Sequence, residues 1–342
     1  MKIFRVGIVV GVGSIGIKHA RFLEKISENL ILIDKKFNTS VIAELGQQFE
    51  LAHFYNHIGE LREKFTDKDL AVIANWGPDH YETIEFLVSK GFRNFILEKP
   101  CVDSLNEVKK LWNLAYRTPL KIAVNQGWFY DKIGSTISLI SQDLGLGKAA
   151  SIFISGGARC ISTAGSHWIS LANQLFTSEP EVIFSDARND LINPRSPSLS
   201  FYEGVFSFRY PENQRLAINL TNNSSIEGTI EIYWRNAVGF LNSNELSIYM
   251  RNDEFASNKI TRYGKATQLV YSGPVFNLES SFANLYNSFH ENNQIEFNMN
   301  FLKQLKVTSS IIYALISSES NRKMYFEEAV GNELFLKKYK IS

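Results

Sequence analysis

Cysteine is nearly absent from this chain: Cys101 and Cys160 are the only two in 342 residues. So few thiols exclude a disulfide framework and fit a reducing cytoplasm. With no HExxH-type spacing either, a dedicated metal site is not expected. No run approaches the ~18 apolar residues that a membrane helix requires. A surplus of one charge is missing too. The formal net charge is +1, and the short basic cluster Lys337-Lys338-Tyr339-Lys340 reads as a solvated tail. Neither nucleic acid nor a membrane is therefore an expected partner. No internal repeat or low-complexity linker is visible. Lys2 and Arg5 before an apolar stretch imitate a secretion signal, but glycines interrupt the stretch early and no small-residue cleavage site follows. What remains is an ordinary globular composition, 44% hydrophobic and 21% charged. At this length two domains are expected.

The most informative segment is residues 3–16, IFRVGIVVGVGSIG, an apolar run that breaks into Gly11-Val12-Gly13-Ser14-Ile15-Gly16. The order is strand, glycine-rich turn, helix start. In such a turn the first glycine permits a tight bend, the second lets backbone approach a pyrophosphate, and the third lets helix pack on strand. The pyrophosphate then sits on unpaired N–H groups at a helix N-terminus, where the dipole favours an anion. A helix-period stretch follows (Ile17, Ala20, Leu23, Ile26), then a second apolar run, Leu30–Ile33, ending at Asp34. A carboxylate about 20 residues past the glycines is placed to bind the adenosine ribose hydroxyls and to repel a 2′-phosphate. NAD is thus expected over NADP, although Lys35 and Lys36 leave NADP possible.

Through residue 125 apolar strands alternate with helices, the signature of a doubly wound parallel sheet. Residues 69–74 read as a buried strand. Asp79 with Glu82 is expected to cap the next helix, which Gly91 ends, and Ser104 with Glu107 forms a second capping box. Phe95–Leu97 is a strand stopping at Glu98-Lys99-Pro100, and residues 120–125 supply another. After about residue 150 strand-like segments follow one another: 150–155, 181–185, 204–210, 216–221, 229–234 and 246–250. Alternation at Phe206, Phe208 and Tyr210 and at Ile230 and Ile232 implies an open, mostly antiparallel sheet with one polar face. Helical patterns lie near 278–291 and 300–318. The expected architecture is an α/β Rossmann domain over residues 1–125 and an α+β domain over 126–342, with the open sheet inviting a homo-oligomer.

Candidate chemistry sits where a doubly wound sheet binds ligands, beyond the carboxyl ends of its strands. Glu98-Lys99-Pro100 and Asn75-Trp76-Gly77-Pro78 both lie at such ends. Taken alone Lys99 reads as a surface lysine; its place at a strand end favours function. In the glycine-rich stretch 155–168, His167 is expected to start a helix and is a candidate general base, though a lone histidine is more often structural. Arg159 reads either as an anion clamp or as the partner of a surface acid. The 25 Phe, 14 Tyr and 5 Trp, with Trp128 and Trp168 near the expected cleft, suit stacking against a sugar or base.

The glycine loop, His80, Glu98-Lys99-Pro100 and Gly165-Ser166-His167, in that order, resemble the Gfo/Idh/MocA oxidoreductase family over nearly the whole chain. The resemblance implies hydride exchange between a nicotinamide and a sugar-like alcohol, with Lys99 and His167 as the catalytic pair. It implies cofactor contacts from Gly11, Gly13, Ser14, Ile15, Gly16, Asp34, Lys35, Asn75, Trp76, His80, Glu98, Lys99 and Asn125. Substrate contacts are implied for Lys99, Gln126, Trp128, Arg159, Thr163, Ser166 and His167. A nucleotide-linked sugar or sugar acid of bacterial surface-glycan biosynthesis is the expected substrate, and a homodimer or homotetramer the expected assembly. The departures matter. The family commonly has an aspartate four residues before this histidine and another three after it, where this chain has Thr163 and Ser170. An arginine usual after the strand ending at Asn125 is replaced by Gln126-Gly127-Trp128. A cofactor-binding regulator that kept the fold and lost turnover is therefore the competing expectation.

Overall fold

The computed structural model describes residues 2–341 except 51, 158, 190, 252–263 and 276–279, and only the backbone of 280 and 290. Two compact units are present. The first comprises Met1–Asn125, Phe289–Thr308 and Leu336–Ser342, the second Gln126–Ser288 and Ser309–Phe335.

In the first unit the chain runs β1 (Phe4–Val10), α1 (Ser14–Ile26), β2 (Ser27–Ile33), α2 (Thr39–Gln48), β3 (Ala52–Tyr55), β4 (Leu70–Ile73), α3 (His80–Ser89), β5 (Asn94–Leu97), α4 (Leu105–Arg117) and β6 (Lys121–Val124). The strands form one parallel sheet in the order β3-β2-β1-β4-β5-β6. Every residue of β4 and β5 is buried, as strands covered by helices on both faces must be. The order reverses between β1 and β4, which opens a crevice at their carboxyl ends.

Two expected caps differ in the structure. A 3-10 turn, Gly77–Asp79, precedes α3, and it puts Asp79 at φ −101°, ψ −4°, with no side-chain capping bond. A capping side chain needs the extended backbone that Asp79 lacks. Ser104 does accept from the Glu107 amide at 3.2 Å, but the Glu107 carboxylate turns to Lys338 instead of returning to Ser104.

The first unit also takes two later segments that the sequence reading places in the second domain. Phe301 and Leu305 complete its core, and Phe289 packs edge-on against Phe4. Gln304 accepts from the Val124 amide at 3.1 Å and donates to the Val124 carbonyl at 3.2 Å. The side-chain amide thereby satisfies the open edge of β6 as a neighbouring strand would.

The second unit contains α5 (Gly127–Tyr130), α6 (Ile133–Asp143), β7 (Ser151–Gly157), α7 (Ile161–Phe176), β8 (Val182–Arg188), β9 (Glu203–Arg209), β10 (Arg215–Thr221), β11 (Thr229–Tyr233), β12 (Ala237–Asn242), β13 (Glu245–Met250) and β14 (Gln268–Pro274). The chain continues through α8 (Ser280–Glu291), α9 (Gln294–Ser320), β15 (Met324–Tyr325) and α10 (Asn332–Leu336), with α8 and α9 each contributing residues to both units. The nine strands run in the order β14-β13-β12-β11-β7-β10-β9-β8-β15; β7 and β10 are parallel and the other pairs antiparallel. Ile152, Ile154, Phe206, Phe208, Leu216, Ile218, Ile230 and Ile232 are buried on one face, while Phe153, Phe184 and Val205 of the other face are exposed. β12 and β14 lie outside the strand segments expected from the sequence. The expected helix start at 278 lies outside the described residues. Among the described residues no helix is long and apolar enough to cross a membrane.

Candidate functional site: a nucleotide cleft and a strand-end charge cluster

At the crevice between β1 and β4 lies a cleft of about 570 Å³, lined by Gly11, Gly13, Asp34, Lys35, Lys36, Asn75, Trp76 and Thr83 among others. Gly11 adopts φ +91°, and a Cβ there would collide with the Asn75 amide nitrogen, so only glycine fits the bend. A Cβ on Gly16 would collide with the Gly11 carbonyl. Gly13 differs: it is the N-cap of α1, makes no side-chain capping bond, and nothing lies within 4 Å of where its Cβ would be. The first N–H groups of α1, from Ser14, Ile15 and Gly16, are thus open to an anion.

Asp34 ends β2 at the cleft wall. Its carboxylate accepts from the Val12 amide at 2.8 Å and the Lys36 amide at 2.9 Å, which fixes it against the glycine loop. Each oxygen keeps a second lone pair for a donor such as a ribose hydroxyl. Lys35 Nζ and Lys36 Nζ stand 5.0 and 6.0 Å from the centre of the Trp76 ring, which brings two cations to one indole in the cleft. Asn75 donates to the Thr83 hydroxyl at 2.9 Å, and its Oδ1 is buried without a partner. A buried acceptor left open at a ligand cleft is a place for a ligand donor. The open helix terminus, the placed carboxylate and this orphan acceptor fit an adenine dinucleotide.

At the end of β5, Glu98 is buried among polar and charged neighbours. His19 Nε2 is 3.0 Å from its Oε1, the Asn125 amide donates to the same oxygen at 2.5 Å, and Lys99 Nζ is 3.9 Å from Oε2. Burial alone would push this carboxyl up. The His19 hydrogen bond, the Lys99 and His19 charges and the Asn125 hydrogen bond together outweigh burial and hold it down at about 2. Glu98 is therefore ionised at neutral pH, with the half-buried Lys99 ammonium 3.9 Å from its second oxygen. His19 was not singled out from the sequence; a polar residue on the apolar face of α1, three positions after Gly16, is the signal that points to it.

His80 is placed behind the cleft rather than in it. Its ring nitrogens lie 3.0 Å from the Cys101 carbonyl and 2.9 Å from the Asn75 carbonyl, bracketing the loops after β5 and β4. Burial lowers its pKa against the pull of those carbonyls. Its bearing on a cofactor is through these loops.

In the second unit, His167 does not start a helix: α7 begins at Ile161 with Cys160 as N-cap, so His167 stands in its second turn. Between residues 161 and 170 only Thr163 and His167 are partly exposed, one turn apart on the same edge. The Trp128 ring lies 5.6 Å from the His167 ring, centre to centre. The Thr163 hydroxyl donates to the Cys160 carbonyl at 3.2 Å and the Ser166 hydroxyl to the Thr163 carbonyl at 3.2 Å. Gln126 is fully buried, and neither of its amide atoms has a partner among the described residues. Arg159 pairs with the surface acid Glu227, and both flank a small cavity of about 60 Å³ with Trp128 and Trp168. Gly156 and Gly157 are spent on chain packing: a Cβ on either would meet the backbone at Gly228 or Ser224, not a ligand. Among the described residues no group of His, Cys, Asp and Glu could hold a metal ion.

Residues 4–126 match the model of an oxidoreductase family described as having an NAD-binding Rossmann fold. No curated protein matches the chain. Several solved structures share its fold. An NAD-binding protein from Listeria innocua is 14% identical with a TM-score of 0.72, the match covering 96% of this chain and 98% of that one. A levoglucosan dehydrogenase in complex with NADH is 14% identical with a TM-score of 0.67, covering 95% of this chain and 100% of that one. The super-repressor mutant of Gal80p from Saccharomyces cerevisiae is 15% identical with a TM-score of 0.67, covering 95% and 98%.

The depressed value of Glu98 fixes a pH dependence. A carboxyl lowered on folding contributes stability that is fully present above the unfolded value, ~4.3, and lost as pH falls toward about 2. Glu98→Gln is expected to cost on the order of 3 kcal/mol at pH 7. In urea titrations at pH 7 and pH 3, the gap between wild type and variant should shrink at the lower pH. A gap that does not change with pH would mean that the buried charge contributes nothing.

Proposed function

We propose, from the premise that residues 4–126 belong to the Gfo/Idh/MocA oxidoreductase family, that the chain is an NAD-dependent dehydrogenase or reductase acting on a hydroxyl or keto carbon of a sugar. A nucleotide-linked sugar or sugar acid of bacterial surface-glycan biosynthesis is the substrate class we assign. The observation that carries the reading is the Lys99 ammonium, held at the carboxyl end of β5 by an ionised Glu98 in the unit that contains the nucleotide cleft. The fold shared with a levoglucosan dehydrogenase supports a sugar-like alcohol.

The bound nicotinamide supplies a two-electron acceptor or donor. Lys99 holds the reacting oxygen by a charge-assisted hydrogen bond and stabilises negative charge as it develops there. In oxidation His167 takes the hydroxyl proton while the hydride leaves the same carbon; in reduction it returns it. Thr163 on the same edge of α7 supplies no carboxylate, so His167 works without an acid one turn before it. Gln126, Trp128 and Arg159 we assign to the substrate; Ser166, which the sequence also offers, is fully buried and its hydroxyl is bonded to the Thr163 carbonyl, so we do not assign it there. The exposed outer face of the nine-stranded sheet, with Phe153, Phe184 and Val205, is the surface through which we infer a homodimer or homotetramer forms. Sedimentation of Phe153→Glu checks it, and an unchanged assembly would overturn that surface.

Asp34 orients its carboxylate at the cleft for a ribose diol and against a 2′-phosphate, so NAD should bind more tightly than NADP. Lys35 and Lys36 on Trp76 make NADP the alternative. Fluorescence titrations with both cofactors decide between them: tighter NADP binding overturns the assignment, and Asp34→Ser should narrow the gap.

A second reading, a cofactor-binding regulator without turnover, is favoured by Thr163 and Ser170 and by the fold shared with a super-repressor mutant of Gal80p. Lys99→Ala and His167→Ala separate the two. Under the enzyme reading each leaves melting temperature and NAD affinity nearly unchanged and lowers the rate at least ~100-fold, the scale of losing a positioned acid or base. Wild type that binds NAD but turns over no sugar or sugar nucleotide would make the regulator the better account.

A further inference from the structure

The loop 76–79 forms part of the cleft wall through Trp76 and Asp79, and a segment from far along the chain holds it. Lys338 Nζ donates to the Pro78 carbonyl at 3.1 Å and pairs with Glu107 Oε1 at 2.7 Å. The Tyr339 amide donates to the Asp103 carbonyl at 3.0 Å, and the Lys340 amide to Asp103 Oδ2 at 3.3 Å. Ile341 is fully buried, and its carbonyl sits so close to Gly77 that a Cβ there would collide with it. Segment 337–341 thus joins the start of α4 to the loop that walls the cleft.

The anchor on α4 is unusual. Asp103 and Glu107 are both buried, and each leaves one carboxyl oxygen, Oδ1 and Oε2, without a partner. Two buried carboxyls facing each other resolve this with one proton, because a protonated carboxyl donates and an ionised one accepts. Around the pair stand Lys338 on the segment, Glu82 on α3, which faces Lys338, and the Tyr81 hydroxyl on α3, which Glu107 helps to keep protonated. His80 is tied to Cys101, two residues from Asp103. Glu107 keeps the Lys338 ammonium charged against the opposing effect of burial.

We propose that segment 337–341 is a proton-operated strap: one proton shared by Asp103 and Glu107 fastens it to the loop 76–79, and loss of that proton loosens the strap and the cleft's hold on the dinucleotide. Burial, then the charge of Glu107, raises the Asp103 carboxyl to about 7 against the pull of Lys338. A carboxyl raised in the docked state favours docking at low pH, an advantage lost as pH rises through that value. Between pH 6 and pH 8 one such group changes the docking equilibrium by about tenfold.

Hydrogen exchange at the Tyr339 and Lys340 amides, corrected for intrinsic rates, reads the strap directly, without reference to turnover. In wild type, protection should fall about tenfold from pH 6 to pH 8. Asp103→Asn, whose carboxamide donates to Glu107 as the protonated acid does, should hold the pH 6 level at both. Lys338→Met should lose protection at both. If Asp103→Asn does not fold, Glu107→Gln should give the same flat response at a lower plateau. Wild-type protection that is flat with pH, or an Asp103→Asn variant that still shows the fall, overturns the strap. The second arm rests on the cleft being the NAD site: NAD affinity should weaken several-fold over the same range in wild type and not in Asp103→Asn. Protection that responds without any change in NAD affinity overturns the coupling to the cleft alone, and loss of sugar turnover bears on neither arm.

Discussion

An ionised carboxylate removed from water costs several kcal/mol unless its lone pairs are filled, and Glu98 stands in that condition at the carboxyl end of β5. Its partners come from three directions: His19 on α1, Asn125 just past β6, and the neighbouring Lys99. Each of these partners favours the charged form against burial, so the charge ties together the elements that carry them. One of these is the helix whose N-terminus opens at Gly13. The anion cradle and the lysine are thus parts of one electrostatic arrangement. An apolar residue at position 98 would leave His19 and Asn125 without their acceptor, and any neutral one would leave the Lys99 ammonium without a countercharge.

The position of the cleft follows from topology. Reversal of strand order between β1 and β4 leaves their carboxyl ends without a crossing helix, and the chain fills that gap with Gly11, Asp34 and Asn75. There Gly13 leaves space, while Gly11 and Gly16 let backbone approach backbone. In the second unit only the latter use recurs: Gly156 and Gly157 let β7 lie against the turn that leads into β11. A glycine-rich stretch therefore has no fixed meaning until the neighbouring backbone is placed.

That distinction explains what the sequence made legible. The glycine loop, Asp34 and Glu98-Lys99-Pro100 stand out because local order, strand then turn then helix, carries their meaning. The parallel sheet was readable for the same reason, since β4 and β5 are continuous apolar runs. His19 was not, because its role depends on a carboxylate 79 residues away. The second turn of α7 was read as a helix start because Gly165 and Ser166 look like loop residues; in place, Ser166 is buried and bonded back into the helix. β12 and β14 escaped because Gly239 and Gly273 interrupt their alternation, and strand pairing overrides such weak local signals. Asp79 looked like a cap until the 3-10 turn ahead of α3 changed its backbone.

The units do divide after Asn125; the most consequential miss is that two later segments, Phe289–Thr308 and Leu336–Ser342, return to the first unit. A doubly wound sheet ending at β6 leaves an edge strand, and an edge strand carries unpaired backbone groups that water or protein must satisfy. Here the Gln304 side chain answers both groups of Val124, and Phe301 and Leu305 cover the adjacent apolar surface. Segment 337–341 does the same for the loop beyond β4, through Lys338 on Pro78 and Ile341 against Gly77. The nucleotide-binding unit is therefore assembled from three separate stretches of chain. Nothing local in residues 1–125 announces this, because the partners of Val124 and Pro78 lie 180 and 260 residues on. What the first unit needs for closure is supplied by segments that flank Ser309–Phe335, a stretch of the second unit.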